Sequence, residues 1–250
     1  MEKLSKLFKN CAYNIAYNQA GDSVNYAFVE EGDKLYIYFQ GSNSITDWVR
    51  NFLFGKKPYK DMAVPYKVHR GFLAAWKTVE DIIINKITQT KIVKNDKLYV
   101  DPEDDFKIKT ALEEHVEYKW KHIVIVGYSH GGALAGLCHE CVWYQRADLR
   151  QNGLEGYGFE APRFYAGFKV KKELKQRWEK FTVIRTNNDI VTHCPPVIFG
   201  YTHVGELLKV KGDTSLVTDK GLKCVKAHYP QVVLDALLKY EDQFLPFLEN

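Results

Sequence analysis

The stretch from His122 to Leu137 reads His-Ile-Val-Ile-Val-Gly-Tyr-Ser-His-Gly-Gly-Ala-Leu-Ala-Gly-Leu, and it decides the fold. The β-branched run at its start predicts a buried strand, and the small residues at its end predict a helix packed close to that strand. Ser129 lies at the turn between them. A serine on such an elbow is lifted out of the sheet edge, where its hydroxyl can attack a carbonyl carbon. Gly127 and Gly131 suit the turn because only small neighbours let strand and helix approach closely.

Glycine-rich turns between a strand and a helix also bind phosphate, and this is the alternative interpretation. Phosphate-binding loops use a longer glycine spacing and a lysine, and this turn has neither. The bare pattern Gly-x-Ser-x-Gly arises by chance in about one chain in ten of this length. The strand before Ser129 and the helix after it therefore carry the assignment.

Length and composition describe an ordinary globular chain without a strong electrostatic preference. Its 250 residues are enough for one large α/β domain, and we interpret residues 1–250 as a single domain. Apolar residues make up 46% and charged residues 26%, and the formal net charge of +4 is too small to indicate nucleic acid as a partner. No apolar run is long enough to cross a bilayer. A nucleophilic serine requires neither a metal nor an organic cofactor, and we expect none.

The cysteines and the N-terminal residues bear on the cellular compartment. The five cysteines are an odd number and widely scattered, which argues against a disulfide framework and favours a reducing compartment. The first ten residues carry lysines throughout and no uninterrupted apolar stretch, unlike a secretory signal. We therefore expect a cytoplasmic location, with secretion by another route as the alternative.

Cys138 and Cys141 lie one helical turn apart on the helix predicted after the elbow, with His139 between them. This spacing invites interpretation as a metal site. A structural metal site needs a second pair of ligands at suitable spacing, and none follows. We therefore interpret both cysteines as small core residues and expect no metal.

Hydrophobic periodicity predicts strands that alternate with helices. Predicted strands cover 24–29 and 35–39 as a hairpin, and then 122–126, 156–159, 181–185 and 204–211. Besides the helix after Ser129, predicted helices cover 4–15, 71–89, 105–119, 169–180 and 230–239, and 91–105 is predicted to be an irregular surface excursion. This alternation implies an α/β fold with a mainly parallel central sheet and helices on both faces.

A nucleophilic serine needs a base that takes its proton and an acid that orients the base. In α/β folds with this elbow the order along the chain is serine, acid, histidine, and the partners follow strand ends. Asp189 is the first carboxylate after the strand predicted at 181–185. Glu160, at the end of the preceding strand, is the second candidate for the acid.

Four of the histidines compete for the role of base. His130 adjoins the serine, but adjacent side chains on the elbow project in different directions. His193 lies too close to Asp189 along the chain to approach from the opposite side. His203 lies in a segment with strand character, whereas His228 precedes the predicted C-terminal helix, where a loop can reach over the sheet edge. Position alone leaves these last two open.

The elbow, Asn188-Asp189 and His228 together resemble the class 3 lipases, a family with the α/β-hydrolase fold. Further segments are similar to motifs of that family in the same order, so that the resemblance extends from about residue 35 to 240. They are Phe39–Trp48 (the oxyanion and lid segment), Val68–Phe72 (the segment after the lid), Phe159–Arg163 (a strand-end motif) and Phe199–His203 (a late motif before the catalytic histidine).

The resemblance implies which residues form the site. The nucleophile, acid and base would be Ser129, Asp189 and His228. The backbone N–H groups of Ser42 and His130 would form the oxyanion hole, which binds the negative charge that develops on the substrate oxygen.

The chain departs from the family pattern at several positions. Tyr128 and His130 flank the serine where the family often has histidine and leucine. Glu160 stands where the family often has glycine, and Gln40 where it often has arginine. The resemblance also implies that His203 is structural.

A possible lid follows the oxyanion segment. A capping box at Ser44–Asp47 predicts the start of a helix, and apolar residues then recur at helical spacing. The pattern alone favours a surface helix packed on the core. The resemblance implies a short lid helix whose apolar face covers the site in water and turns outward at a lipid surface. Its apolar residues are Ile45, Trp48, Val49, Phe52 and Leu53.

Together these features predict a serine carboxylic ester hydrolase, specifically a lipase that cleaves acyl esters of glycerides at a lipid–water interface. A soluble esterase, a phospholipase or a lysophospholipase is the alternative among enzymes, because the same triad serves all of them. The alternative from another class is a non-catalytic lipid-binding or signalling domain, since a fold does not establish a function. A missing triad member would favour that alternative, and none is missing.

Overall fold

The computed structural model describes residues 3–22, 24–41, 55–60, 64–101 and 107–248. The strands are β1 (Asn18–Ala20), β2 (Val24–Glu31), β3 (Lys34–Phe39), β4 (Lys56–Tyr59), β5 (Tyr66–His69), β6 (Thr90–Asp101), β7 (Lys107–Tyr118), β8 (His122–Tyr128), β9 (Leu154–Phe159), β10 (Phe181–Thr186) and β11 (Glu206–Val210). The α-helices are α1 (Leu4–Lys9), α2 (Arg70–Ile87), α3 (His130–Gln145), α4 (Lys223–Lys226) and α5 (Pro230–Leu248).

Seven of these strands form the central sheet, in the order β1-β2-β3-β8-β9-β10-β11. From β3 to β11 every neighbouring pair is parallel, whereas β1, β2 and β3 pair antiparallel. Helices α2 and α3 pack on one face of the sheet, and α1 and α5 pack on the other. The structure confirms an α/β fold with a mainly parallel sheet and helices on both faces. Within the described residues, no helix combines the length and the apolar character needed to span a bilayer.

Strand β8 lies in the middle of the sheet because both of its faces are apolar. Ile123 and Ile125 belong to the core on the side of α2 and α3. Val124 and Val126 belong to the core on the side of α1 and α5. A strand covered on both faces has a continuous apolar sequence instead of an alternating one. The elbow serine therefore emerges at the centre of the carboxyl edge, between loops that can supply its partners.

The largest departure from the predicted elements lies between α2 and β8. Strands β6 and β7 pair along their whole length as a separate antiparallel hairpin. The predictions of an irregular excursion at 91–105 and of a helix at 105–119 are therefore wrong. Cross-strand pairs such as Lys94 with Glu114, at 2.6 Å, stabilise the hairpin, and pairing between residues that far apart in the chain does not show in a local sequence pattern.

Two other predicted helices differ in length or type. The segment predicted as a polar helix at 169–180 contains a 3₁₀ helix, Lys172–Trp178, instead of an α-helix. The N-terminal helix α1 continues into a π-helical turn, Asn10–Asn14. The apolar face predicted there is buried, and its buried members are Leu4, Leu7, Phe8 and Cys11.

The cysteine pair on α3 is part of the core. Cys138 and Cys141 are both fully buried with free thiols, as the core interpretation predicts. The Nδ1 of His139, between them, donates to the carbonyl oxygen of Arg177 at 2.9 Å. Burial lowers the pKa of His139 to about 4, so that its ring is neutral at neutral pH.

Arg146, just after α3, joins three elements through a side chain that has no exposed surface. Its guanidinium donates at 2.6 Å to the carbonyl oxygen of Ile87 at the end of α2, and at 2.6 Å to that of Trp120 before β8. It also forms a bidentate pair with Asp148, at 2.9 and 2.7 Å. These bonds satisfy two buried carbonyl groups and fix the point at which the chain enters β8.

We predict that Arg146→Met lowers the free energy of unfolding by about 3–5 kcal/mol, because it leaves both carbonyl oxygens buried without a donor. Urea denaturation followed by circular dichroism measures this. Arg150→Met is the matched control, since Arg150 is half-buried and donates once, to the carbonyl oxygen of Trp143 at 2.8 Å. The control should cost about 1 kcal/mol. Equal losses for the two variants would contradict the role assigned to Arg146.

Candidate active site

The elbow at Ser129 has a backbone that few residues other than glycine adopt. Ser129 has φ 57° and ψ −124°. A Cβ added to Gly127 would lie 2.1 Å from the carbonyl oxygen of Gly131, and one added to Gly131 would lie 2.3 Å from that of Phe39. Ser129 also donates its backbone N–H to the carbonyl oxygen of Phe159 at 2.9 Å, which ties the turn to β9. The strained serine is therefore held by its neighbours on both sides.

Three side chains predicted from sequence meet at this elbow. The Oγ of Ser129 lies 2.7 Å from the Nε2 of His228, and the Nδ1 of His228 lies 2.7 Å from the Oδ2 of Asp189. Asp189 comes from the loop after β10, and His228 from the turn between α4 and α5. Ser129 is 4% exposed and the other two have no exposed surface. In this geometry a serine hydroxyl donates to a neutral imidazole, whose other nitrogen donates to a carboxylate.

The turn that carries His228 is held by hydrogen bonds to its backbone as well as by contacts to the imidazole ring. The hydroxyl of Tyr128 donates to the carbonyl oxygen of His228, and the two rings are stacked with centroids 5.2 Å apart. The hydroxyl of Thr186 donates to the carbonyl oxygen of Ala227 at 2.8 Å. A buried loop held in this way keeps the imidazole in one orientation.

Asp189 remains ionised although it is buried. Burial alone would raise the pKa of its carboxyl, but the charge of His228 and the hydrogen bond from it lower the pKa below its ordinary value. The backbone N–H of Val191 adds to this by donating to Oδ1 at 2.9 Å. The anion can therefore stabilise an imidazolium beside it.

Glu160, the second candidate for the acid, occupies a different place. It lies directly after β9 without exposed surface, and its φ of 50° is unusual for a residue other than glycine. Its Oε1 accepts the backbone N–H of Thr186 at 2.6 Å. Asp189, not Glu160, receives the hydrogen bond from His228 among the described residues. The preference for Asp189 as the partner of the imidazole therefore agrees with the geometry.

The other histidines after Asp189 lie outside this chain of contacts. The Nδ1 of His193 donates to the backbone carbonyl of Asp189 at 2.7 Å, and its side chain is exposed. The Nε2 of His203 donates to the carbonyl oxygen of Thr192 at 2.9 Å. Burial lowers the pKa of His203 to about 3, which keeps it neutral. Both bonds support the loop that carries Asp189.

His130, predicted as an oxyanion residue through its backbone, begins α3. The first N–H groups of a helix have no partner within the helix, so they are free to bind a developing anion. Burial, followed by the charge of His69, lowers the pKa of the His130 ring to about 4. A Cβ on Gly41 would lie 3.1 Å from the Cβ of Ser129, so the chain runs beside the nucleophile just before Ser42.

Two groups of predicted site residues lie outside the described residues. They are the oxyanion residue Ser42 and the lid residues Ile45, Trp48, Val49, Phe52 and Leu53. Their roles stay predictions.

The described part of the chain contains one cluster with several potential metal ligands. Glu160, Asp189 and His228 each offer one ligand atom, and these atoms lie within 4.8 Å of one another. Both ring nitrogens of His228 are already engaged, one with Asp189 and the other with Ser129. A metal bound here would displace the hydrogen bonds of the serine–histidine–aspartate chain, so the donor set does not fit a metal.

Tyr128 is the contact that sequence reasoning missed, because it was noted only as a departure from a family pattern. Tyr128 faces the core on the side of α1 and α5, together with Val124 and Val126 of the same strand. His228 precedes α5 and approaches from that side. The side from which His228 comes depends on the tertiary fold, so the sequence alone does not reveal that the two rings stack.

The sequence profile of the family described as "Lipase (class 3)" matches residues 36–199, about two thirds of the chain. The chain belongs to the class 3 lipase family. The matched range includes Ser129 and Asp189 and ends before His228.

Curated members of the lipase family are similar over most of this chain. A lipase of Rhizomucor miehei is 29% identical over 189 residues, which cover 72% of this chain and 43% of the relative. A protein of Fusarium solani described as secreted mono- and diacylglycerol lipase 1 is 27% identical over 172 residues, 68% of this chain and 42% of the relative. The chain spans less than half the length of these relatives.

Solved structures of fungal and other lipases share the fold. Lipase II from Rhizopus niveus superposes with a TM-score of 0.59 at 20% identity, covering 93% of this chain and 75% of that one. A triacylglycerol lipase whose catalytic centre is described as a serine protease triad superposes with a TM-score of 0.57 at 22% identity, covering 80% and 68%. At these identities the likeness shows the α/β-hydrolase fold.

The expectation of a cytoplasmic location is wrong in the light of these relatives, since the Fusarium solani lipase is described as secreted. The inference rested on the lack of a signal-like N-terminal stretch and on scattered, unpaired cysteines. Cys11, Cys138 and Cys141 are buried free thiols. A thiol buried in a core is shielded from oxidation in either compartment, so the number of cysteines carries little information about location.

We predict that Tyr128→Phe slows the reaction of Ser129 with a fluorophosphonate probe by about 3- to 10-fold. The ring still stacks on His228, but the carbonyl oxygen of that residue loses its donor and the loop loosens. Mass spectrometry of the labelled protein measures the rate. Tyr59→Phe is the control, because the hydroxyl of Tyr59 donates at 2.8 Å to the carboxylate of Glu80 on α2 and not to a residue of the triad. An unchanged rate in Tyr128→Phe, or equal slowing in both variants, would contradict the prediction.

Proposed function

We propose that this chain is a serine carboxylic ester hydrolase of the lipase type, which cleaves acyl esters of glycerides. The observation that carries the proposal is the buried chain of two 2.7 Å contacts from Ser129 through His228 to Asp189. Membership of the class 3 lipase family supports it. A binding or signalling domain would have no need of a strained serine aligned with a base and an acid.

The triad supplies the proton transfers of acyl transfer to water. His228 takes the hydroxyl proton as Ser129 attacks the ester carbonyl, and Asp189 stabilises the imidazolium that forms. The imidazolium then protonates the leaving alcohol, which leaves an acyl group on Ser129. A water molecule, deprotonated by His228, releases the acid and restores the serine. No step requires a metal or an organic cofactor.

We assign the oxyanion hole to the backbone N–H groups of His130 and Ser42. The position of His130 at the start of α3 and the path of Gly41 beside Ser129 support this assignment. Removing one such donor typically raises the barrier by about 2.7–4 kcal/mol. A backbone donor also explains how the imidazole of His130 can replace the leucine that is common in the family without loss of the hole.

Glycerides are the substrates that the relatives favour. The Fusarium solani relative is described as acting on mono- and diacylglycerols, and the superposed structure as a triacylglycerol lipase. The described surface adds an apolar patch of exposed side chains on and near the segment that follows Asp189. It consists of Phe168, Val197, Ile198 and Phe199, which are 73%, 47%, 79% and 46% exposed. Exposed apolar patches of this kind are typical of surfaces that meet lipid or protein.

The lid remains part of this proposal. Residues 45–53 would form a short helix that covers the site in water and opens at a lipid–water interface. On this basis we expect higher specific activity on emulsified glyceride than on the same ester below its aggregation limit. Equal specific activity in the two states would argue for a soluble esterase without a lid.

The test compares wild type with Ser129→Ala on p-nitrophenyl esters of increasing acyl length and on emulsified glycerides. We predict that Ser129→Ala lowers kcat by about 10⁴-fold or more, because the nucleophile is lost while binding remains. Release of p-nitrophenol and titration of free acid measure the rates. The exposed Ser215→Ala is the control and should be as active as wild type.

The outcomes of this test distinguish a lipase, an esterase and a non-catalytic domain. A preference for long acyl chains supports a lipase, and a preference for short soluble esters supports an esterase. Equal activity of wild type and Ser129→Ala would overturn the assignment of the nucleophile. No turnover by either protein, on soluble and emulsified esters alike, would favour a non-catalytic domain.

A further inference from the structure

Glu160 places a second carboxyl group beside the acid of the triad. It has no exposed surface, and one of its oxygens lies within 4.8 Å of a carboxylate oxygen of Asp189. Its Oε1 accepts the backbone N–H of Thr186 at 2.6 Å. Its Oε2 is buried and makes no hydrogen bond of ordinary geometry within the part of the chain that is described. The mechanism described above assigns no role to this carboxyl.

Two carboxylates this close and this deeply buried cannot both be ionised without a large electrostatic penalty. The negative charge is better stabilised on Asp189, because its carboxylate accepts hydrogen bonds from His228 at 2.7 Å and from the backbone N–H of Val191 at 2.9 Å. Glu160 has one backbone donor, and no lysine or arginine pairs with it among the described residues. A single proton shared by the pair therefore belongs on Glu160.

We propose that Glu160 is a neutral carboxylic acid in the folded protein and acts as a positioning residue, its Oε2–H directed at the ionised Asp189. The pair then carries one proton and one negative charge, and the proton supplies the partner that Oε2 otherwise lacks. The part of this proposal that concerns catalysis rests on the proposed function, whereas the protonation state of Glu160 does not.

The other groups that face Glu160 are compatible with this assignment. They come from three elements: Asp189 from the loop after β10, His228 from the turn before α5, and Tyr128 from β8. Burial, followed by the charge of Asp189, raises the pKa of Glu160 well above its ordinary value of 4.5. Burial and the nearby carboxyl groups likewise raise the pKa of Tyr128, which stays neutral. Behind Tyr128, the titratable groups are Tyr13 and Cys11, and burial raises the pKa of both.

A neutral Glu160 has a consequence for the triad. By donating to Asp189 it offsets part of the negative charge that faces the imidazole of His228. Its bond to Asp189 also restricts the rotation of that carboxylate, because it adds to the bonds from His228 and the backbone of Val191. Glutamine can replace both effects, since it is always neutral and carries an N–H donor. Glycine can replace neither, although it suits the φ of 50°.

The first experiment measures protonation through stability and needs no catalysis. If Glu160 is neutral when folded, the folded state binds one more proton than the unfolded state above pH 4.5, so this contribution to stability is lost as pH rises towards the folded pKa. Glu160→Gln has no such loss. The ratio of its folding equilibrium constant to that of wild type should therefore rise with pH above pH 5, at up to about tenfold per pH unit, as measured by urea unfolding between pH 5 and 8.

Glu155→Gln is the matched control for that experiment. Glu155 lies on the same strand, β9, with its side chain exposed to water. Its ratio to wild type should stay flat over the same pH range. A flat ratio for Glu160→Gln as well would overturn the assignment of a neutral Glu160.

A second measurement observes the carboxyl directly in the wild-type protein. With glutamate labelled with ¹³C at Cδ, the resonance that disappears in Glu160→Gln should have the chemical shift of a neutral carboxylic acid at pH 7. The shift of a carboxylate at that pH would overturn the proposal, even if the variants proved too unstable for the unfolding series.

The positioning role is tested by the acid limb of the pH profile of fluorophosphonate labelling, on which the general base is lost by protonation. Glu160→Gln should keep the wild-type limb, and Glu160→Gly should move it upward by half a pH unit or more. Identical limbs in all three proteins would leave Glu160 a structural residue and overturn this role. Normal labelling without ester hydrolysis would instead count against the proposed function and not against the protonation of Glu160.

Discussion

The site depends on a close approach of two backbones that leaves no room for a side chain. A Cβ on Gly127 would overlap the carbonyl oxygen of Gly131, and one on Gly131 would overlap that of Phe39. The start of α3 is therefore pressed against the ends of β8 and β3. This contact forces Ser129 into a backbone with positive φ and directs its hydroxyl out of the sheet edge. It also points the first N–H groups of α3 at the position where a substrate oxygen would lie.

The rest of the site follows from the order of the strands at that edge. Since β8, β9 and β10 are parallel neighbours, the loops that follow them open on the same side of the sheet. These loops carry Ser129, Glu160 and Asp189. His228 reaches them from a later part of the chain. Tyr128 of β8 donates to its carbonyl oxygen, and Thr186 of β10 donates to that of the preceding residue, Ala227. The same strands therefore position the nucleophile, both carboxyl groups and the support of the base.

Much of this arrangement could be predicted from the sequence, because its signals are local. The apolar run before Ser129 and the small residues after it predict a buried strand and a close helix, and chain order after a strand end points to Asp189. The hairpin β6–β7 could not be predicted in this way. Its strands gain their stability from pairing with each other, which a single stretch of sequence does not show. The choice between His203 and His228 likewise depends on where the last helix packs, and only the family resemblance distinguished them.

The buried charges of the protein are balanced in two different ways. Charges that stabilise the fold have fixed partners, whereas the charge at the elbow has partners that titrate. Glu140 is paired with Arg177 and also accepts from the hydroxyl of Tyr66, and these bonds oppose the rise in pKa that burial causes. Arg146 is balanced by carbonyl groups and one aspartate. In both cases the charge is paired with fixed partners, so these residues stabilise the fold and do not transfer protons. At the elbow, by contrast, the carboxylate of Asp189 is bonded by a titratable histidine and lies beside a second acid, Glu160. A charge balanced by groups that can themselves gain or lose a proton is unsuited to a purely structural role. It suits a site whose work is to pass a proton from a serine to a leaving group.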